Sequence, residues 1–293
     1  MKSSKIKKIL ILGGGGCNGM MYCYLLKKLE ETTGKKISEI FDLVAGTSIG
    51  SIVAALLVSD KTAQECIQFF IDDAPVIFKK KWYKFGLFSP LYSADIIENI
   101  LKEKLENKTL KNCKTKLLVP AFNLTTEDPF FFKSYEGKDY PLWAVCRASA
   151  SAPVYFSAFK YEKNIFWDGG LFANSAEIPA LADAIKLKWN IKTVKILSLG
   201  CGDYPIKGNP DKFINCGILR NLIRIFPVLF TSGSEDENYI SKQIMGDNFL
   251  VINPEVKEVL KLGNASPKIM QKREELGEQW VKDHFWEIKE FLT

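Results

Sequence analysis

Residues 46–50 read Gly-Thr-Ser-Ile-Gly, a match to G-x-S-x-G, with an apolar run before them and the strongly apolar stretch 49–58 after them. A serine at such a strand-to-helix turn is a nucleophile elbow. The glycines permit the sharp turn, the Ser48 side chain stands above the sheet edge, and the first helical turn offers free N–H groups to a developing oxyanion. The bare pattern arises by chance in roughly one chain of this length in ten, and a helix-packing turn is the plain alternative. A serine nucleophile also needs a base. The single histidine, His284, sits in an amphipathic C-terminal stretch where a surface or packing role is ordinary. The other candidate is Asp168, in NIFWDGG, which follows an apolar strand and precedes Gly169 and Gly170. Aspartate is a weak base at its usual pKa near ~3.9. Burial beside Phe166 and Trp167 raises that value toward a useful one. A D-G-G turn that merely ends a strand is the competing reading.

A second glycine cluster, Gly13–Gly16, follows the apolar run that ends at Leu12. Gly14, Gly16 and Gly19 fit G-x-G-x-x-G, the fingerprint of a dinucleotide-binding turn. That use requires an acidic residue at the end of the next strand to hold ribose hydroxyls. Here the strand ends in Gly46, and Asp42 stands near its start. The alternative is an oxyanion hole, in which Gly14, Gly15 and Gly16 bring backbone N–H groups close to a reacting carbonyl. Both turns lie at the carboxyl ends of parallel strands, where they can face one crevice.

The elements that must hold these residues are legible as alternating strands and helices. Strands are expected over Ile6–Leu12, Phe41–Ala45, Lys116–Leu124, Phe130–Ser134, Ile165–Trp167, Val194–Leu199 and Phe249–Ile252. Helices are expected over 18–31, 49–58, 62–79, 95–105 (with Ser93 as N-cap) and 178–188, and over most of the remainder. Strand-helix-strand-helix in the first sixty residues implies an α/β fold with a parallel sheet. No linker, repeat or low-complexity block interrupts the pattern, so residues 1–293 are read as one domain.

The bulk numbers narrow the class. At 293 residues, 47% hydrophobic and 25% charged, the chain has the composition of a globular protein with a sizeable core. The net charge of +6 is a mild excess compatible with anionic surfaces. Seven scattered cysteines without a C-x-x-C pair read as reduced thiols of a cytoplasmic protein. The apolar run after MKSSKIKK is too short for a signal peptide, and no stretch is long enough for a transmembrane helix. A zinc site is not expected with one histidine, and no cofactor is expected. The segment 77–92 interleaves Lys79, Lys80 and Lys81 with Trp82, Phe85, Phe88 and other apolar residues, which suits peripheral membrane contact; a packed helix end is the alternative. The stretch 214–230 is a second candidate for lipid contact, though a buried helix fits it better. No nucleic-acid-binding motif accompanies the lysines.

Taken in order, GGGCNG at 14–19, GTSIG at 46–50 and DGG at 168–170 resemble the patatin-like phospholipases. RASASAPVYF at 147–156, KILSLGCG at 195–202 and LFTSGSEDENYISKQI at 229–244 are similar to further blocks of that family. The resemblance implies a three-layer α/β/α patatin-like fold with a mainly parallel central sheet. It also implies a lipid acyl hydrolase with a Ser-Asp dyad: Ser48 as nucleophile, Asp168 as base, and an oxyanion hole from the amides of Gly14, Gly15, Gly16 and Ile49. Its substrate would be a membrane phospholipid or lysophospholipid, and its reaction needs no metal. The family usually carries Arg or Lys before the last glycine of the first motif, where this chain has Asn18. A non-catalytic lipid-binding module that keeps the fold is the rival reading, and a nucleotide-binding α/β protein the third.

Overall fold

The computed structural model describes residues 6–79, 89–203, 234–256 and 260–293. Within them eight strands form one sheet: β1 (Lys7–Leu12), β2 (Leu43–Gly46), β3 (Lys116–Asn123), β4 (Asp128–Lys133), β5 (Phe159–Tyr161), β6 (Asn164–Asp168), β7 (Val194–Leu199) and β8 (Phe249–Ile252). Their order is β5-β6-β3-β2-β1-β7-β8, with β4 also paired to β3. The run from β3 to β8 is parallel, while β4, β5 and β6 join antiparallel.

The helices are α1 (Met20–Thr33), α2 (Ile37–Ile40), α3 (Ile49–Val58), α4 (Ala63–Asp72), α5 (Ala74–Ile77), α6 (Ala94–Leu105), α7 (Leu142–Ser149), α8 (Glu177–Lys186), α9 (234–245) and α10 (Pro267–Leu292). Side chains alternate across a strand, and the central strands separate two cores by that rule. Leu10, Leu12, Val44, Leu117, Leu197 and Leu199 enter the larger core with α1, α3, α4, α6, α7 and α10. Ile9, Ile11, Leu43, Ala45, Leu118 and Ile196 enter the smaller one, against Ala180, Leu181 and Ala184 of α8 and Met245 of α9. The result is a three-layer α/β/α arrangement. The near-continuous apolar runs of β1 and β7 follow from burial on both faces.

The pairing of β3 decides where the site forms. One edge of β3 is held by β4 from Leu118 to Asn123. β2 pairs with Lys116–Leu118, and β6 pairs with Ala121–Asn123. A strand has two edges, so β2 and β6 must follow one another along the second. β2 runs with β3 and β6 runs against it. Their C-terminal ends therefore point at each other, and the residues that follow Gly46 meet Asp168.

The expected strands are all present, with ends moved by at most two residues. β2 starts at Leu43 rather than Phe41, because Asp42 is engaged at the bottom of β1: its carboxylate accepts from the Lys8 N–H at 3.0 Å. The helix expected over 62–79 breaks into α4 and α5 around Asp73, with Pro75 opening α5. Ser93 stands at the N-cap of α6 but its side chain makes no cap bond. The two-turn helix α7 and the short strand β5 have no counterpart among the expected elements. Among the described residues no helix is long and apolar enough to cross a membrane. Lys79 is exposed just beyond α5. Lys80, Lys81, Trp82, Phe85, Phe88 and the stretch 214–230 lie outside the described residues.

Candidate active site

Ser48 sits between β2 and α3 with φ 55° and ψ −124°. This is a strained conformation for a residue with a side chain, of the kind found at nucleophile elbows. The neighbouring glycines make it possible. A Cβ on Gly46 would lie 2.2 Å from the Gly50 carbonyl oxygen, and one on Gly50 would lie 2.1 Å from that of Leu12. Without side chains at both positions, the first turn of α3 presses directly onto the end of β1. The elbow is then tied from several sides. The Thr47 N–H donates to Leu12 O at 3.2 Å and its hydroxyl to Ala173 O at 2.7 Å. The Ser48 N–H donates to the Ser149 hydroxyl at 3.0 Å.

The Ser48 hydroxyl donates to Asp168 Oδ2 at 2.7 Å. Asp168 is fully buried at the end of β6. Its Oδ1 accepts from the Gly170 N–H at 2.7 Å, and its own N–H donates to Ser151 O at 3.2 Å. Gly169 lets this end lie flat on β3, since a Cβ there would be 2.3 Å from Pro120 O. Burial pushes the Asp168 carboxyl up to about 7, against the pull of the Gly170 and Ser48 bonds and of the Arg147 charge. Arg147, itself buried on α7, is held by Glu98, the Ser151 hydroxyl and Ser157 O.

The Gly-rich turn lies beside Ser48. A Cβ on Gly14 would be 3.2 Å from Ser48 Cβ. The Gly14 N–H, expected as an oxyanion donor, instead donates to Asn174 O at 3.1 Å. It ties the turn to the chain that leaves Asp168, and is spent there. Among the described residues nothing accepts from the N–H groups of Gly15, Gly16 or Ile49. Those of Gly15 and Gly16 belong to the turn leading into the short 3-10 segment Gly16–Gly19, and Ile49 is the first residue of α3. Free N–H groups at helix starts are what this geometry provides. Gly19 closes the segment against Tyr22, whose hydroxyl would be 2.8 Å from a Cβ there.

A cleft of about 1230 Å3 opens over Ser48 and the Gly-rich turn. Phe69, Ile77, Phe78, Tyr92, Phe156 and Leu260 give it an apolar wall; Asn174, Ser198 and Asn253 give it a polar one. Ser48 reaches the cleft while Asp168 stays behind it. The space suits an amphiphile with an acyl chain and a polar end. His284 pairs with Glu287 at 3.6 Å on α10 and does not line the cleft. Cys17 is buried beneath the turn, and burial pushes its thiol up to about 12, which makes it inert. Among the described residues no three metal-ligating side chains gather. Reading the sequence missed the supports: Arg147, Ser149 and Ser151 on and after α7, and Asn174. The signal for them was the hydroxyl-rich run RASAS, which composition alone does not distinguish from a turn.

A family model described as patatin-like phospholipase matches residues 10–181. A cGAMP-activated phospholipase of Escherichia coli (strain TW11681) is 32% identical over 66% of this chain and 61% of its own length. The probable inactive patatin-like protein 9 of Arabidopsis thaliana is 29% identical over 72% of this chain and 64% of its own. The chain thus spans about three fifths of the length of these relatives. Among solved structures, VipD of Legionella pneumophila superposes with a TM-score of 0.51 at 12% identity, over 94% of this chain and 67% of that one, a likeness of fold alone. The matched segment takes in the Gly-rich turn, the elbow and the D-G-G end of β6, and covers more than half of the residues: the chain belongs to the patatin-like phospholipase family.

Proposed function

We propose that the chain is a lipid acyl hydrolase that cleaves fatty-acyl esters of membrane phospholipids or lysophospholipids through an acyl-serine intermediate. The observation that carries this is the 2.7 Å bond from Ser48, a hydroxyl facing a cleft, to Asp168, a buried carboxyl poised near neutrality. Ser48 Oγ attacks the ester carbonyl carbon and its proton passes to Asp168 Oδ2. The N–H groups of Gly15, Gly16 and Ile49 receive the oxyanion. Collapse breaks the ester C–O bond, and the leaving alcohol takes the proton from Asp168. Water then attacks the acyl-serine, gives its proton to Asp168, and the fatty acid departs as Ser48 is reprotonated. The apolar wall takes the acyl chain. Contact with the bilayer is peripheral and includes the exposed Lys79.

The test is fatty-acid release from mixed phospholipid vesicles without added calcium, for wild type, Ser48→Ala and Asp168→Asn. Each protein is assayed with and without cGAMP, because the E. coli relative's name makes that nucleotide an activator worth including. We expect wild type to release fatty acid and both variants to lose at least about 10³-fold. Release by Asp168→Asn at the wild-type rate would show that the base is another group. No release by wild type in either condition would favour the non-catalytic reading, in line with the relative named inactive.

A further inference from the structure

Position 18, where the family usually has a basic side chain, is filled by an asparagine that is completely buried. Its carboxamide is used at both ends. Asn18 Oδ1 accepts from Arg273 Nε at 2.8 Å, and Asn18 Nδ2 donates to Leu260 O at 3.3 Å. Arg273 comes from α10 and is also completely buried. Its other nitrogens donate to Asn264 O at 2.6 Å and Lys261 O at 3.1 Å. Residues 260–264 form a strap across the Gly-rich turn. Leu262 O accepts from the Cys17 N–H at 2.8 Å, and a Cβ on Gly16 (φ 56°) would lie 2.6 Å from the same oxygen. A guanidinium is costly to bury and is retained only where its donors are satisfied. Here its fork matches the carbonyls of the strap and the one acceptor that the turn extends to it.

We propose that Arg273 is the positioning residue of the Gly-rich turn. From the C-terminal helix its guanidinium fixes residues 15–18 through Asn18 and the strap. The chemistry of position 18 follows. An amide both accepts from Arg273 and donates to Leu260. An arginine there would bring a second guanidinium to the same spot and offer no acceptor. The residue on α10 and the residue in the turn therefore form one unit, and neither can be changed alone.

The kinetic arm of the test rests on the acyl-hydrolase reading; the exchange arm does not. Arg273→Gln, Arg273→Lys and Asn18→Leu are compared with wild type in the full chain. kcat and KM are measured on p-nitrophenyl butyrate, a soluble ester that removes vesicle binding from the comparison. Amide hydrogen exchange is followed across residues 13–19, the strap 260–264, α1, α3 and α10. The expected result is faster exchange confined to residues 13–19 and the strap. With it kcat falls at least about tenfold in Arg273→Gln and in Asn18→Leu while KM stays within about twofold, and Arg273→Lys recovers part of the loss. If Arg273→Gln does not fold, Asn18→Leu carries the same test, because it breaks the Nε contact and the bond to Leu260 O while leaving the Lys261 and Asn264 carbonyls paired with Arg273. Wild-type kcat and exchange in the folded variants would overturn the proposal. So would loss of protection spread evenly through α1 and α10, the mark of a general clamp on the fold. An inactive wild type would defeat the hydrolase reading alone, since the exchange pattern still decides the role of Arg273.

Discussion

In the proposed mechanism, the surroundings of Asp168 are what would fit it for use as a base. A carboxyl at its ordinary pKa is ionised at neutral pH but too weak a base to draw a proton from serine. Full burial raises Asp168 to about 7 and leaves it both ionisable and basic under cellular conditions. Only the ionised form can accept the serine proton, which fixes the direction of the pH dependence. Turnover of a soluble ester is therefore expected to rise with pH and level off above about 7, falling about tenfold per unit well below it. A kcat/KM profile between pH 5 and 9 checks this. A profile flat down to pH 5 would mean that Asp168 keeps an ordinary pKa or does not act as base.

At the scale of elements, the elbow is a product of three segments rather than of its own glycines. α3 is brought onto β1 by Gly46 and Gly50. β6 arrives head-on to β2 because both share one edge of β3. α7 and the residues after it then lock the two ends, Ser149 on the Ser48 N–H and Ser151 O on the Asp168 N–H. Ser149→Ala removes one lock without touching the Ser48 hydroxyl or the Asp168 carboxyl. It leaves the Ser48 N–H unpaired, at a cost of about 1–3 kcal/mol in stability. The looser elbow is expected to lower kcat about tenfold with little change in KM. Denaturant unfolding and ester kinetics on the same preparation separate the two effects. An unchanged kcat beside the stability loss would assign Ser149 to folding alone.

Across the whole molecule, stability and the proposed activity are expected to respond to pH in opposite directions. Three buried carboxyls are raised by desolvation: Asp168 to about 7, Glu237 to about 7 and Glu177 to about 8. In the unfolded chain such groups titrate near ~4. The folded state therefore holds these protons more tightly. Their contribution is complete below about pH 4 and is lost as pH rises through 7 to 8. We expect a melting temperature higher at pH 6 than at pH 8.5, opposite to the trend in activity. Asp168→Asn keeps the hydrogen-bonding shape without the charge. It is expected to stabilise the chain at pH 8.5 by at most about 4 kcal/mol, with the gain vanishing near pH 4. Calorimetry at the two pH values tests both statements; a variant no more stable than wild type at pH 8.5 would contradict them.

The amino-acid sequence by itself determined the local pieces. Short apolar runs, some of them ended by glycine, marked the strands, and G-T-S-I-G between a strand and a helix placed Ser48 at an elbow, because these depend on neighbours within a turn or two. Asp168 was legible as a candidate from its strand and the glycines after it, but a strand-ending D-G-G turn reads the same way until the fold is formed. What only the tertiary structure decided is who meets whom. The 2.7 Å contact between residues 120 positions apart depends on β2 and β6 sharing one edge of β3, a long-range pairing with no local signature. The loss of Gly14 as a donor depends on Asn174 arriving beside it. Position 18 looked like a missing charge in the sequence; the fold brings a guanidinium to it from residue 273, through contacts that the order of residues does not encode locally.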